Sequence, residues 1–272
     1  MTQSKSEPGG LKISLAAWSL HRRYFARETD MLGMVDICGD LGITGFELVN
    51  TFFQSPQHLY LRYLKQRAEE RGVEFLLIMC DGEGDLADAE REKRLLAARN
   101  HRKWVDIAEV LGCHAIRCNV RGDESDPGAM RERAAEGFRA LLDYAEGTDL
   151  RILIENHGGL SSNPDWLVSL IELVGDPRLG TLPDFGNFPE GIDRYRAVEK
   201  MMPHAGAVSA KCYDFAADGT ETTIDFARML NIVRMAGYKG YVGIEYEGER
   251  LSEREGILAA KALLERLLWM SC

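Results

Sequence analysis

Short apolar segments alternate with amphipathic helical stretches along the whole chain, and this alternation restricts the fold more than any other feature. Eight segments have the length and apolar content of buried strands, and they recur roughly 25–40 residues apart, the spacing of one strand–helix unit. The predicted strands are Lys12–Ser19, Thr44–Val49, Val73–Met79, His114–Asn119, Arg151–Asn156, Leu179–Asp184, Ala207–Cys212 and Tyr241–Tyr246. Eight such units without an internal linker predict an α/β fold, the closed (β/α)8 TIM barrel. A doubly wound open sheet fits less well, because no glycine-rich phosphate-binding fingerprint follows any of these segments.

The chain length agrees with a single barrel domain. A (β/α)8 barrel typically needs about 250 residues, and the chain has 272. Polar residues dominate positions 1–10, which we predict to be a flexible N-terminal segment, whereas residues 11–272 form the barrel. Asn163-Pro164 has the N-cap and first-position proline of a helix start, and Ser252 with Glu255 forms a capping box before the last helix.

Charge and cysteine usage exclude several classes of protein. The formal net charge of −10 argues against nucleic acid as the main ligand, because binding the phosphate backbone requires a basic face. No apolar run reaches the length of a membrane span, so we expect no membrane partner. The six cysteines form no CxxC pair, and several lie inside apolar runs, so we expect reduced, buried thiols. With no apolar signal segment near the start, these features predict a cytoplasmic protein.

Three of the last four predicted strands end in an acidic residue, namely Glu155, Asp184 and Glu245. In a parallel barrel the carboxyl ends of the strands meet at one rim, where catalytic groups gather. Side-chain alternation directs Glu155 and Glu245 toward the barrel axis, because their bulky β-branched neighbours suit the helix-facing side. Three converging carboxylates repel one another unless a cation or shared protons offset the charge. The pattern therefore indicates a divalent metal and metal-assisted chemistry on an oxygen-rich substrate.

Basic residues near these acids leave a second interpretation open. Arg117, Arg151 or Lys211 could neutralise the acids as a buried ion network, and we expect Arg117 to be the counter-ion of Glu155 on the neighbouring strand. Lys211 shares a predicted strand face with Ser209, one step nearer the rim. Its ammonium could replace the charge of a metal, clamp a substrate oxygen, or act as a base with a lowered pKa.

Other side chains at the rim are predicted to contact the substrate. Arg117 and Asn119 share a face of the fourth strand, where they would donate hydrogen bonds to hydroxyl or phosphate groups. Glu47 is either a pocket residue or a partner for a neighbouring arginine, and Asp81–Glu92 is a long rim loop that is either a lid or a plain solvated connection. The predicted pocket residues at these strand ends are Trp18, His21, Glu47, Arg117, Asn119 and Asn187.

Four stretches at the predicted strand ends have a combination typical of one known family. They are Ile154-Glu-Asn-His-Gly158, Asp184-Phe-Gly-Asn187, Val208-Ser-Ala-Lys211 and Gly243-Ile-Glu-Tyr246. Over nearly the whole chain, the sequence resembles the xylose isomerase-like TIM-barrel family of sugar isomerases and epimerases. The resemblance implies a divalent metal held by Glu, Asp, His and Glu from strands five to eight.

The resemblance assigns three of these four metal ligands directly, as Glu155, Asp184 and Glu245. Ser209 stands where the family has its histidine, and His157 becomes a substrate-pocket residue. Oxygen donors favour Mn²⁺ or Mg²⁺, with Zn²⁺ or Co²⁺ as alternatives. A serine hydroxyl is a poor ligand, so the metal would be held by three carboxylates and water, bound weakly, or not bound at all.

The resemblance and the residues together predict a sugar or polyol isomerase or epimerase. Metal-assisted proton transfer would pass through an enediolate, with Glu155 and Glu245 exchanging the proton and Lys211 stabilising the intermediate. A keto-polyol dehydratase on the same site is the close alternative, and a non-catalytic carbohydrate-binding barrel with a degraded metal site is the second. An endonuclease is disfavoured, since it would need clustered histidines and a basic face. We expect a small carbohydrate as the ligand and a homodimer or homotetramer as the assembly.

Overall fold

The computed structural model describes residues 10–269. The predicted flexible segment 1–10 lies outside this range except for Gly10, and Cys272 also lies outside it. The eight strands are β1 (Lys12–Ala16), β2 (Gly45–Val49), β3 (Glu74–Cys80), β4 (Ala115–Cys118), β5 (Arg151–Glu155), β6 (Leu179–Leu182), β7 (Val208–Cys212) and β8 (Tyr241–Tyr246). The helices between and after them are α1 (His21–Phe25), α2 (Met31–Asp40), α3 (His58–Arg71), α4 (Arg91–Leu111), α5 (Pro127–Tyr144), α6 (Pro164–Val174), α7 (Arg194–Met201), α8 (Phe226–Met235) and α9 (Glu253–Trp269).

All eight strands belong to one parallel sheet in the order β6-β5-β4-β3-β2-β1-β8-β7. Sequential strands pair from β1 to β6 and from β7 to β8, and β1 pairs with β8, as in a barrel. Isolated bridges join Thr181 to Ala205 and Asp184 to Ser209 between the two ends of the sheet. The predicted (β/α)8 TIM barrel in a single domain is therefore confirmed.

The junction between β6 and β7 positions one of the predicted acids. Pro183 has no N–H and cannot continue a regular ladder, so β6 ends at Leu182. The Ser209 N–H donates to the Pro183 carbonyl at 3.0 Å, and the Phe185 N–H donates to the Ser209 carbonyl at 3.1 Å. These two hydrogen bonds flank Asp184 and fix it opposite Ser209.

Local capping signals form as predicted. Asn163 accepts hydrogen bonds from the backbone N–H groups of Asp165 and Trp166 at the start of α6. Ser252 and Glu255 form the reciprocal capping box, with the Ser252 N–H donating to Glu255 Oε2 at 3.0 Å and the Glu255 N–H donating to Ser252 Oγ at 3.3 Å.

The first strand is shorter than predicted, because the chain turns into a 3-10 helix at Ala17–Leu20. Ser19 holds this turn against the last strand: its hydroxyl donates to the Ile244 carbonyl at 3.0 Å and accepts from the Tyr246 N–H at 2.9 Å. The turn places Trp18 at the rim of the barrel instead of within the strand.

The barrel interior contains a buried carboxyl as well as apolar side chains. Glu47 is 1% exposed, and its Oε1 accepts a hydrogen bond from Ser14 Oγ at 2.6 Å. Gly243 on β8 makes room for it, since a Cβ at that position would lie 2.3 Å from Glu47 Oε1.

The five cysteines of the described part are buried free thiols, and burial raises the pKa of Cys38. None of the helices within residues 10–269 combines the length and apolar character that a membrane span requires.

Candidate active site

Three carboxyl groups converge at the C-terminal rim of the barrel. Glu155, Asp184 and Glu245 each offer a carboxylate oxygen that lies within 4.8 Å of those of the other two. The three residues are 1%, 0% and 5% exposed, so water does little to screen their repulsion. Such a cluster requires a cation or bound protons to be stable.

Asp184 is held rigidly by its surroundings. Its Oδ1 accepts hydrogen bonds from the backbone N–H groups of Gly186 and Asn187, both at 2.7 Å, and its Oδ2 accepts from Ser209 Oγ at 2.8 Å. The side-chain amide of Asn156 binds the backbone of Asp184 at both polar groups. Its Oδ1 accepts from the Asp184 N–H at 2.7 Å, and its Nδ2 donates to the Asp184 carbonyl at 3.0 Å. Burial raises the pKa of Asp184 to about 7.

Glu155 has one paired and one unpaired oxygen. Asn187 Nδ2 donates to its Oε1 at 3.0 Å. Arg117 Nε lies 2.8 Å from its Oε2, which confirms Arg117 as the predicted counter-ion, but the N–H does not point at this oxygen and neither atom has a hydrogen-bond partner. Burial raises the pKa of Glu155 to about 7. A buried carboxylate oxygen that accepts no hydrogen bond is free to coordinate a bound cation.

Lys211 provides the positive charge inside the cluster. Its Nζ lies 3.2 Å from Glu245 Oε1, 3.4 Å from Glu247 Oε2 and 3.9 Å from Asp184 Oδ2. Burial lowers the pKa of Lys211, but the carboxylates outweigh this effect and raise the pKa above its usual value. The suggested role as a base with a lowered pKa is therefore wrong, and the side chain is an ammonium donor.

Arg151, the remaining candidate counter-ion, lies elsewhere. Its guanidinium donates to the carbonyls of His204 and Ala205, both at 3.2 Å, at the N-terminal side of β7. It faces the opposite end of the barrel because it is the first residue of β5, whereas Glu155 is the last.

The charges in this region do not balance without a further cation or bound protons. Arg117 contacts two carboxylates and Lys211 contacts three, so two cations serve five acids. Glu155, Asp184 and Glu245 fit a divalent ion, since they supply clustered oxygen donors and Glu155 Oε2 accepts no hydrogen bond. Ser209 contributes only a hydroxyl, which is 2.8 Å from Asp184 Oδ2 and 3.0 Å from Glu245 Oε2.

The cluster borders a cavity of about 840 Å³ at the rim. Glu245 and Lys211 line this cavity directly. The predicted pocket residues that also line it are Trp18, Arg117, Asn119, His157 and Asn187. The structure thus brings together most of the predicted substrate-contact residues in the space next to the acids.

Two predicted pocket residues lie elsewhere. His21 packs beside Trp18, with ring centroids 5.1 Å apart, and is not part of the cavity wall. Glu47 is two residues short of the end of β2 and points into the barrel interior, so it is neither at the rim nor paired with an arginine.

The structure adds two separate acidic residues of the cavity wall, Asp81 and Glu247, to those predicted from the sequence. Asp81 follows β3 and accepts hydrogen bonds from Arg117 at 2.8 Å and from Asn119 at 2.7 Å. Burial opposes its ionisation, but the Arg117 guanidinium outweighs burial and lowers the pKa of Asp81. Glu247 lines the cavity beside Lys211. Both residues carried the signal used for the other acids, because Asp81 directly follows a strand and Glu247 shares a face with Glu245.

The loop that begins at Asp81 is tethered by Glu83. The Glu83 carboxylate accepts from Trp104 Nε1 at 2.6 Å and pairs with Lys103 at 2.9 Å, and its carbonyl accepts from Asn100 Nδ2 at 3.1 Å. All three partners lie on α4. These contacts anchor the loop as a wall of the cavity. The loop is therefore neither a freely opening lid nor a plain solvated connection, the two alternatives predicted for Asp81–Glu92.

Two relatives are similar in sequence to the chain at low identity. The chain is 24% identical over 228 residues to the 3'-dehydrocarminate deglycosidase alpha subunit of a Microbacterium species, a match covering 78% of this chain and 62% of that subunit. The chain thus spans less than two thirds of that relative. It is 23% identical over 243 residues to inosose dehydratase of Serratia proteamaculans (strain 568), covering 76% of this chain and 78% of the relative.

Solved structures agree on the fold. The 3-keto-D-glucoside 4-epimerase of E. coli superimposes with a TM-score of 0.75 at 15% identity, over 94% of this chain and 99% of that one. The IOLI protein, described with a bound zinc atom, superimposes with a TM-score of 0.77 at 13% identity, over 96% and 99%. The model of one family, described as xylose isomerase-like TIM barrel, matches residues 35–267. The chain belongs to the xylose isomerase-like TIM barrel family.

Proposed function

We propose that the protein is a sugar or polyol isomerase or epimerase that moves a proton on the carbon next to a carbonyl group. One observation carries this proposal: two glutamates and an aspartate bring their carboxylate oxygens within 4.8 Å of one another beside a cavity of about 840 Å³. General acid–base chemistry needs two such groups within reach of one carbon.

In this proposal the two glutamates share the proton transfers, with Glu245 in the cavity wall and Glu155 next to it in the carboxylate cluster. The Glu245 carboxylate, which lines the cavity directly, removes the proton. The electron pair of the C–H bond then forms a carbon–carbon double bond and displaces the carbonyl π electrons onto oxygen, which gives an enediolate. The other, Glu155, returns a proton to the opposite face of the same carbon, which gives an epimer. Return to the neighbouring carbon, with the hydroxyl proton passing to the former carbonyl oxygen, gives the isomeric ketose or aldose.

Positive charge and hydrogen bonds stabilise the enediolate oxygens. Lys211 lines the cavity and keeps its proton, so its ammonium donates to an oxygen that gains negative charge. Arg117 and Asn119 hold Asp81 at the cavity wall, and this wall fixes the orientation of the sugar hydroxyls. A divalent cation, when held by Glu155, Asp184 and Glu245, would supply Lewis-acid polarisation of the carbonyl.

A dehydratase is the second candidate, and the similarity to inosose dehydratase favours it. The first step is the same proton removal. The enediolate electron pair then expels a hydroxyl group from the next carbon, and a carboxylic acid of the cluster protonates this group so that it leaves as water. The names of this relative, the deglycosidase subunit and the 3-keto-glucoside epimerase all denote keto compounds, which supports a ketone-bearing substrate for this chain.

Solvent-hydrogen exchange tests the proposal. The protein, supplied with Mn²⁺, is incubated in D₂O with D-fructose or 2-keto-myo-inositol, and deuterium next to the carbonyl is measured by NMR. We expect exchange in the native protein and a loss of at least about 100-fold in Glu155→Gln and Glu245→Gln. Glu249→Gln, on the exposed segment after β8, is the matched control and should retain full exchange.

The outcomes distinguish the isomerase or epimerase from the dehydratase and from a non-catalytic carbohydrate-binding barrel. Full exchange in either site variant, with an unchanged circular dichroism spectrum, would exclude the proton-transfer roles. Exchange with loss of water from 2-keto-myo-inositol identifies the dehydratase. Ketose binding without any exchange in the native protein identifies a carbohydrate-binding barrel whose metal site has decayed at Ser209.

A further inference from the structure

Five aromatic rings pack together beside the cavity, two of them in its wall, and we call them the aromatic cluster. Its members are Trp18, His21, Tyr24, Phe25 and Phe52. The ring of Trp18 is parallel to those of His21 and Phe52, with centroids 5.1 Å and 5.7 Å away, so its orientation is fixed. Phe25 meets Trp18 edge-on at 6.3 Å.

Phe25 is the unusual member of this cluster. It is 64% exposed, although it lies at the mouth of a cavity and has four aromatic neighbours. Within residues 10–269 none of the aromatic rings stacks on it face to face. It also borders a second, more open groove of about 800 Å³ beside α1 and α2. Because this exposed ring adjoins the cavity and the other rings of the cluster, it offers apolar surface that a ligand in the cavity can cover.

The cavity is larger than a single sugar ring needs. Its volume of about 840 Å³ lies in the upper part of the range of roughly 300–1,000 Å³ that is typical of sites for drug-sized ligands. Glu245 and Lys211 line the cavity next to the acid cluster, and Trp18 and Phe25 also line it. A ligand that fills the space therefore has a polar part at the acids and an apolar part at the aromatic rings.

The charges of the cavity wall argue against an anionic ligand. Its acidic members are Asp81, Glu83, Asp85, Glu245 and Glu247, and its cationic members are Arg117, Arg121 and Lys211. Both Arg117 and Lys211 are already paired with carboxylates. A phosphate group would therefore meet a net negative wall, with Arg121 as the one cation of the described wall that has no carboxylate partner.

We propose that Trp18 and Phe25 form a second subsite for an aromatic aglycone, so that the substrate class is a neutral glycoside whose sugar carries a keto group and whose aglycone is an apolar ring. This rests on the proposed function, which places the reacting sugar carbon at the acid cluster. The aglycone packs against the fixed ring of Trp18 and covers Phe25, and the open groove beyond Phe25 gives a longer aglycone a route to solvent. Aromatic rings prefer such offset or edge-to-face contacts.

Binding without turnover tests the subsite separately from the chemistry. Calorimetry compares phenyl β-D-glucopyranoside, methyl β-D-glucopyranoside and D-glucose 6-phosphate. We expect the phenyl glucoside to bind at least tenfold more tightly than the methyl glucoside, and the phosphate to bind more weakly than either. Phe25→Ala should remove most of this preference and Phe25→Leu should keep part of it. Tyr63→Ala, on a 57% exposed ring of α3 away from the cavity, is the matched control and should leave the preference unchanged.

The results also distinguish this proposal from the proposed function. Glu155→Gln should lose exchange but keep the phenyl preference, because the two subsites use different residues. Equal binding of the phenyl and methyl glucosides, undetectable binding of the phenyl glucoside, tighter binding of the phosphate, or an unchanged preference in Phe25→Ala would each overturn the subsite. A failed exchange assay with an intact phenyl preference would overturn only the reaction.

Discussion

Lys211→Met, studied in protein freed of divalent ions by a chelator, gives the strictest test of the electrostatic account of the site. Methionine keeps the unbranched shape of the side chain but removes the charge. Lys211 is 2% exposed and contacts Glu245 at 3.2 Å and Asp184 at 3.9 Å, so its removal leaves buried carboxylates that have lost their nearest cation.

The expected loss of stability is about 3–5 kcal/mol at neutral pH, the range measured when one partner of a buried ion pair is removed. Unit charges 3.2 Å apart attract by roughly 5 kcal/mol at an effective dielectric constant of about 20. The desolvation cost of the lysine, which the variant no longer bears, offsets part of this attraction. Glu247 is 29% exposed, and water screening reduces its share.

Urea unfolding followed by circular dichroism measures this loss at pH 5 and pH 8. The loss should be larger at pH 8, because burial raises the pKa of Asp184 to about 7, so at pH 5 this carboxyl holds a proton and needs no cation. Lys211→Met combined with Glu245→Gln should recover part of the stability, since both members of the closest pair are then gone. A single variant within about 1 kcal/mol of the native protein at pH 8 would refute the reasoning, because such a value is typical of an exposed ion pair.

Two further predictions concern the cation and pH. Ser209→His should raise the affinity for Mn²⁺ at least tenfold in calorimetry, because the imidazole would lie beside Asp184 and Glu245. Unchanged affinity would mean that the strand geometry no longer suits a metal. The cation-free native protein should lose stability as the pH rises from about 5 to about 8. Burial raises the pKa of Glu47 from 4.5 to about 8, and those of Glu155 and Asp184 to about 7, so the folded state holds protons that the unfolded chain has already released. Urea unfolding across this range should show a shallower slope in Glu47→Gln, and stability that increases with pH would contradict the assignment.

Much of the fold follows from local signals that are complete within short stretches. The strand β5 was predicted as Arg151–Asn156 and is observed as Arg151–Glu155, because an apolar run of that length between polar ends has few alternatives. Side-chain alternation then fixed the inward direction of Glu155, which the structure places at the rim with 1% exposure. Convergence of the acids followed from topology alone, since parallel strands end on one side of a barrel.

The parts that could not be predicted depend on the depth of a residue along its strand and on loop paths. Glu47 and Glu245 both face inward, but Glu47 lies deeper in the barrel, where Gly243 leaves space for it. Periodicity gives the face of a strand and not this depth. Phe25 reaches the cavity only because the chain turns at Ala17–Leu20 and continues into α1, and an exposed phenylalanine in a short helix gives no signal of that path.

The serine in place of the family histidine determines how the cluster must hold its charge. Ser209 Oγ lies 2.8 Å from Asp184 Oδ2 and 3.0 Å from Glu245 Oε2, and a hydroxyl has one proton to donate. It can serve only one of the two oxygens, so the other contact is favourable only if that carboxyl carries a proton of its own or a cation lies between them. Burial raises the pKa of Asp184 to about 7, which agrees with a retained proton. A cation that enters this cluster must therefore displace a proton, and the affinity of the cluster for a divalent ion should increase as the pH rises toward and beyond that pKa.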